Sequence, residues 1–266
     1  MEHHIMTDNR RLIIRVSPDS LSFSTREAEG VVHVSYALNC SISMAANLRE
    51  ALHTESILSQ PFERTLVMVD SPVLMEPTPL FREEEQGQLY HHAFSRTGQL
   101  LVMHTVLPDL DSVAIFSIQK DLYTVCKDAF ERVQFMPAVA PVWRHLHQRS
   151  YTGQRQKLYG YFHEHRLEIF SFAQNRFRFC NSYMAQNPND ALFYLLSVWK
   201  QLAMSPEHDE LHIAGDIPER EQLMEEAQKF VKRVFYINPS GEFNRAQVTQ
   251  IVQMPYDLMV LFVKGK

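Results

Sequence analysis

The most constraining feature of this sequence is a pattern that occurs twice. Residues 10–38, RRLIIRVSPDSLSFSTREAEGVVHVSYAL, hold three apolar runs separated by turn residues. Leu12, Ile14 and Val16 alternate with Ile13 and Arg15, and Leu21 and Phe23 alternate with serines. Ser17-Pro18-Asp19-Ser20 is a turn signal, and Gly30 opens a third run over 31–38. This spacing predicts a three-stranded antiparallel meander. Residues 157–184, KLYGYFHEHRLEIFSFAQNRFRFCNSYM, read the same way, with strands over 158–162, 166–173 and 176–183 and a turn at Asn175. Few folds begin with a meander and then begin again with another.

The segments after each meander also repeat. In the first half, Ser43 is a candidate N-cap for a helix with Met44, Leu48, Ala51 and Leu52 on its apolar face. RTLVMVDSP reads as a strand buried on both faces. Pro72, Pro77 and Pro79 predict a rigid loop, and LFREEEQGQLYHHAF a helix with Glu83, Glu84 and Glu85 in its first turn. Strands QLLVMHTVL and SVAIFSIQ, helix KDLYTVCKDAFERV, the extended stretch QFMPAVAP and a short helix from Val142 complete the half. A polar stretch around Gly153, 151–156, marks the boundary. In the second half, Pro188 opens a helix with Leu192, Leu195, Leu196, Trp199 and Leu202 on its apolar side. DELHIAGDI is a strand, PEREQLMEEAQKFVKRV a helix, FYI a strand, and MPYDLMVLFV a final helix with Pro255 in its first turn. Both halves run meander, helix, strand, helix, strand. The pattern predicts an α/β chain of two mixed sheets, each flanked by helices, divided as 1–150 and 151–266.

Composition removes several functions. A chain of 266 residues that is 45% apolar can bury a core, and its formal charge of −5 gives no footprint for nucleic acid or for an anionic membrane surface. No stretch reaches the roughly 18 apolar residues of a membrane span. The polar start MEHHIMTDNRR lacks the apolar run of a signal peptide, so a cytoplasmic protein is expected. Cys40, Cys126 and Cys180 are too widely spaced for a zinc ribbon or a disulfide framework and read as reduced thiols in or near the core.

The doubled order resembles the duplicated RNase H-like architecture of the actin-like ATPase fold, and in particular the actin-like assembly proteins of pili and secretion systems. LIIRVSPDSLSFS, LVMVDSPVLMEPTPLFREEE and MPYDLMVLFV further resemble an uncharacterised bacterial domain-of-unknown-function family of that superfamily. The resemblance implies three places where nucleotide would be held: an acid-and-glycine hairpin opening each half, and a glycine turn after the late strand of the second. Glycine suits such places because backbone N–H groups must approach phosphate with no Cβ in the way. This sequence departs at each. Arg15 and Ser17 stand where the first acid and glycine belong, and Pro18 has no N–H. The second hairpin, YFHEHRLEIF, has no glycine in its turn. At the third place Gly215 and Asp216 persist alone and are the candidate nucleotide contacts if one binds.

The triplet His163-Glu164-His165 admits three readings: a solvated hairpin tip, half of a metal site with further ligands such as His145 and His147, or a general base at Glu164. The hairpin is favoured, with side chains in water. Asp70 closes a buried strand, where α/β sites often lie, and reads as a turn-capping acid. No Ser-His-Asp order or GxSxG elbow occurs. The expectation is therefore a non-catalytic actin-like protein, a pseudo-ATPase with no catalytic residues, metal or cofactor. It would act on a protein partner that the sequence does not identify. The alternative is a residual nucleotide binder or weak ATPase.

Overall fold

The computed structural model describes residues 10–94, 98–151, 154–173 and 176–264. The polar start, Gly153 of the expected boundary and the Asn175 turn lie outside the described residues. Contacts divide the chain into two compact units. The first runs up to Glu76 and adds Leu80–Thr105 and Ala114–Ala138; the second takes Val139 onward with Pro77–Pro79 and Val106–Val113.

In the first unit the meander forms as β1 (Arg11–Val16), β2 (Leu21–Glu27) and β3 (Gly30–Tyr36). α1 (Met44–Thr54) is capped by Ser43, whose hydroxyl accepts the Ala46 N–H at 3.2 Å. It buries Leu48 and Ala51, one face of a 3.6-residue period, against the sheet core of Leu12, Ile14, Phe23 and Val67. β4 (Arg64–Val69) joins β1 in parallel, and five of its six residues are buried, as its unbroken apolar run requires. Between β4 and the last strand lie β5 (Leu74–Pro77), α2 (Gln86–Ala93), β6 (Leu100–Leu107), β7 (Ser112–Gln119) and α3 (Lys120–Ala129). β8 (Val133–Pro137) then pairs in parallel with β4. The main sheet is ordered β3-β2-β1-β4-β8, and the insertion makes a small sheet β5-β7-β6.

The sequence expectation needs two corrections here. The proline-rich stretch is not all loop: Leu74–Pro77 is a strand at the edge of the small sheet, where a terminal proline breaks no ladder bond. Glu83–Glu85 form a separate 3₁₀ turn, and the α-helix starts after them at Gln86.

The second unit repeats the plan. α4 (Ala140–Ser150) belongs to it by its contacts. The meander β9 (Lys157–His163), β10 (Arg166–Ala173), β11 (Arg176–Met184) is followed by α5 (Pro188–Gln201), β12 (Glu210–Gly215), α6 (Arg220–Gln228), β13 (Val234–Tyr236), a short α7 (Pro239–Glu242) and α8 (Tyr256–Lys264), which packs on α4. The sheet order is β11-β10-β9-β12-β13, strand for strand that of the first unit. The α5 face is the expected one in Leu195, Trp199 and Leu202, which are buried, as is Val198, while Leu192 and Leu196 are half-buried against the same core. Leu195 packs closely over Gly160, for a Cβ on Gly160 would lie 3.1 Å from the leucine side chain. Cys126 is buried, but Cys40 is exposed, contrary to the expectation for all three thiols, because it lies in the turn before α1 and not in a strand.

Candidate functional site

The three places implied by the sequence resemblance fall at the turns at the carboxyl ends of β1 and β9 and at the end of a strand beside β9. Register makes the two sets directly comparable. Val16 pairs with Leu21 and with Val69; Phe162 pairs with Leu167 and with Gly215. One residue further along, the Asp70 N–H donates to the Val16 carbonyl at 2.8 Å and the Asp216 N–H to the Phe162 carbonyl at 2.9 Å. Asp70 and Asp216 are thus structural equivalents, as are Ser17 and His163, Ser20 and Arg166, Arg15 and Tyr161, and Ser22 and Glu168.

In the first unit the turn is closed upon itself. Ser17 donates its N–H to the Ser20 carbonyl at 2.9 Å, and the two serine hydroxyls share a hydrogen bond of 2.7 Å. The Asp19 N–H turns inward to the Ser17 hydroxyl at 3.3 Å. Arg15, only 2% exposed, donates from its guanidinium to the Ser20 hydroxyl at 3.3 Å. Pro18 contributes no N–H, and no residue of the turn takes a left-handed φ. The backbone donors of Ser17 and Asp19, which a phosphate would need, are therefore spent within the loop. Beside the turn, Asp70 and Ser71 are buried at the end of β4. The Ser71 hydroxyl accepts the Ser117 N–H at 3.3 Å; Tyr90 donates to the Pro72 carbonyl and accepts from the Ser117 hydroxyl, both at 2.9 Å. These bonds tie the segment after β4 to the insertion.

The second unit reaches the same turn length by another route. Glu164 and His165 have φ of 47° and 59°, the two left-handed residues of a type I′ hairpin. His165 is exposed, but His163 is buried at 6% exposure, which corrects the expectation that the whole triplet lies in water. The reason is strand parity. His163 is the last ladder residue of β9 and shares a face with Tyr161, against whose ring it stacks at 4.7 Å. Its Nε2 lies 3.5 Å from a Glu168 carboxylate oxygen. On that face Tyr161 donates to buried Asp257 of α8 at 3.1 Å. His163 and His165 do not form the strand-spaced pair a shared metal would need, since His165 belongs to the turn. His145 is engaged by Glu242 and His147 packs on Phe172. Among the described residues no group of three His, Cys, Asp or Glu side chains is placed to hold a metal ion.

Gly215 sits at the end of β12 with φ of 91°, and a Cβ there would fall 2.0 Å from the Phe162 carbonyl oxygen. That backbone approach and the positive φ both call for glycine, whether or not a nucleotide binds. Its equivalent in the first unit is Val69, which needs no such freedom. Asp216 follows with its N–H already committed to Phe162.

A third polar cluster lies under α4, which the sequence presents as an ordinary amphipathic helix. His145 Nε2 and the Arg149 guanidinium both meet the Glu242 carboxylate, the former at 2.7 Å. Burial, assisted by the charges of Lys264 and Arg149, pushes the His145 imidazole down to about 4, so at neutral pH it meets Glu242 as a neutral N–H donor despite the ion-pair geometry. Lys157 donates to the Arg149 carbonyl at 3.0 Å, and burial lowers its ammonium as well. Sequence reasoning misses this cluster, because nothing in the sequence places Glu242, in a short helix far along the chain, opposite α4.

No helix among the described residues is long and apolar enough to cross a membrane. No curated protein matches the chain in sequence. Among solved structures, a protein from Bacteroides thetaiotaomicron with actin-like ATPase fold and unknown function superposes with a TM-score of 0.81 at 29% identity, over 94% of this chain and 99% of that one. A chain of the PilM–PilN type IV pilus biogenesis complex superposes with a TM-score of 0.55 at 9% identity, over 95% and 97%, a likeness of fold. The family model described as protein of unknown function DUF3822 matches residues 3–234. The chain belongs to that family, and its fold is the actin-like ATPase fold.

Proposed function

We propose that this chain is a non-catalytic actin-like protein, a pseudo-ATPase of the cytoplasm that works by binding a protein partner. One observation carries the reading: the turn after β1 uses its own N–H groups and hydroxyls, with Arg15 where an acid would hold a metal. An anion entering there must break those bonds and displace a buried side chain, whereas a phosphate-binding turn presents its donors ready-made. The turn after β9 points the same way, since His163, Tyr161 and Glu168 fill it. The partner reading draws support from the PilM–PilN complex, in which a chain of this fold is assembled with another protein. Three free cysteines suit a reducing compartment.

Isothermal titration with ATP and ADP, each with magnesium, tests this. The proposal expects no saturable heat. Saturable, magnesium-dependent binding that weakens in Asp216→Asn would replace it with the alternative, a residual nucleotide site or weak ATPase using Gly215 and Asp216.

A further inference from the structure

The first unit holds a pocket of about 470 Å³. Its volume lies within the roughly 300–1,000 Å³ of small-molecule sites. It opens where two sheets end: β8 is the last strand of the main sheet and β6 the last of the small one. The Thr105 hydroxyl donates to the Phe135 carbonyl at 3.4 Å and fixes the two edges to each other. Leu66, Met103 and Met136 give the pocket an apolar lining. The rings of Tyr123 and Phe135, stacked at 5.1 Å with 30° between planes, give it a flat aromatic wall.

The charges on this lining are of one sign. Arg11 and Lys127 contribute to it, and among the described residues no carboxylate does. Lys127 is held by rings and not by an acid, its ammonium 5.8 Å from the Tyr123 centroid and 5.9 Å from that of Phe135. Arg11 shares a rung of the β1–β4 ladder with Arg64, whose guanidinium lies 3.8 Å from the Glu63 carboxylate. Partial burial and the Arg64 charge both push the Arg11 guanidinium below its ordinary value. A half-buried cation beside a like charge is costly, and the attraction of an anion brought to it offsets that cost.

We infer that this pocket binds a small organic anion, a carboxylate or phosphate monoester on a flat apolar body, with the anionic group on Arg11 and Lys127 and the body against Tyr123 and Phe135. The site shares no residue with either hairpin and stands or falls independently of the pseudo-ATPase reading. It gives the protein a way to respond to a metabolite without hydrolysing one.

The test uses the full chain and two fluorescent probes of similar shape, 8-anilinonaphthalene-1-sulfonate and its uncharged analogue N-phenyl-1-naphthylamine. The sulfonate is expected to bind once per chain, more weakly as salt rises. Arg11→Gln and Lys127→Gln should each weaken it by roughly tenfold, the scale of one charge-assisted contact. Arg11→Lys should keep most of the affinity, and the uncharged probe should change less than about twofold in every charge variant. Tyr123→Ala should weaken both probes. Melting temperatures report folding, and because Lys127 is exposed its variant carries the test if Arg11→Gln is unstable. Equal sulfonate affinity in wild type and Lys127→Gln, or an uncharged probe that binds as tightly as the sulfonate, overturns the inference.

Discussion

Two hairpins of identical register close in opposite ways. Ser17 to Ser20 and His163 to Arg166 occupy the same four positions of their sheets, each beside a strand that is followed by an aspartate. The first turn keeps every φ negative and satisfies itself with serine hydroxyls and a buried arginine. The second accepts two left-handed non-glycine residues and buries a histidine on a tyrosine ring. The ladders are therefore what the fold requires, while the turn chemistry is free to vary. In the first turn the Ser17 and Asp19 N–H groups have internal acceptors, and Gly215, the glycine at the end of β12, lies against the Phe162 carbonyl.

The sharpest way to break this comparison is at the paired positions Gly215 and Val69. Gly215→Ala places a Cβ against a backbone carbonyl at positive φ, so it should cost upward of about 4 kcal/mol or prevent folding, among the largest effects a single substitution produces. Val69→Ala at the equivalent place removes only buried methyl groups and should cost about 1–3 kcal/mol. Urea unfolding of both variants checks this; equal, small losses would mean that the two strand ends are not equivalent as described.

The helices after each meander come next. Leu48 of α1 and Leu195 of α5 are both fully buried, so each alanine variant should lose about 2–5 kcal/mol, and Leu196→Ala clearly less. A larger loss at Leu196 than at Leu195 would put the wrong face of α5 on the sheet. Here sequence reading reaches its limit in a physical way. Apolar periodicity identifies α5 and all six meander strands. It cannot choose between adjacent leucines, because that choice depends on Gly160 leaving room beneath Leu195. It finds the hairpin between β9 and β10 but misses the buried His163, since burial at a strand end depends on Tyr161 and Asp257, the latter far along the chain. Glu164 and His165 carry no turn signal, being neither glycine nor asparagine. Of the small sheet, β6 and β7 are legible as apolar runs, whereas β5 is hidden because it ends in proline and lies among other prolines. In contrast, Arg15, Ser17 and Pro18 are legible as a departure from the acid-and-glycine turn that the actin-like resemblance implies.

Acid should separate the halves more gently. His145 has a folded value of about 4 against an ordinary 6.5, so the unfolded chain binds its proton first as pH falls. Stability is full above 6.5 and is lost progressively between about 6.5 and 4, by on the order of 1–3 kcal/mol from this group. Burial lowers His212, also in the second unit, and adds loss of the same sign. His145→Gln keeps an N–H donor toward Glu242 without the titration, and should flatten that limb of the stability–pH curve. An unchanged limb would place the acid sensitivity elsewhere.

The smallest effect lies at the hairpin tips. Glu164→Asn with His165→Gly supplies residues suited to positive φ and should stabilise by about 0.5–1 kcal/mol. The same pair placed at Pro18 and Asp19, where no φ is positive, should bring no gain. A gain at both tips would mean the first turn is strained in the same way as the second.

The measurement closest to the central claim is amide hydrogen exchange, residue by residue, with and without magnesium ATP. The N–H groups of Ser17, Asp19, Asp70 and Asp216 are all held by internal acceptors, so their exchange should be unchanged by nucleotide. Nucleotide-dependent protection at the Ser17–Ser20 turn, or at Gly215 and Asp216, would contradict the account, because it would show that these donors can leave their internal partners for phosphate.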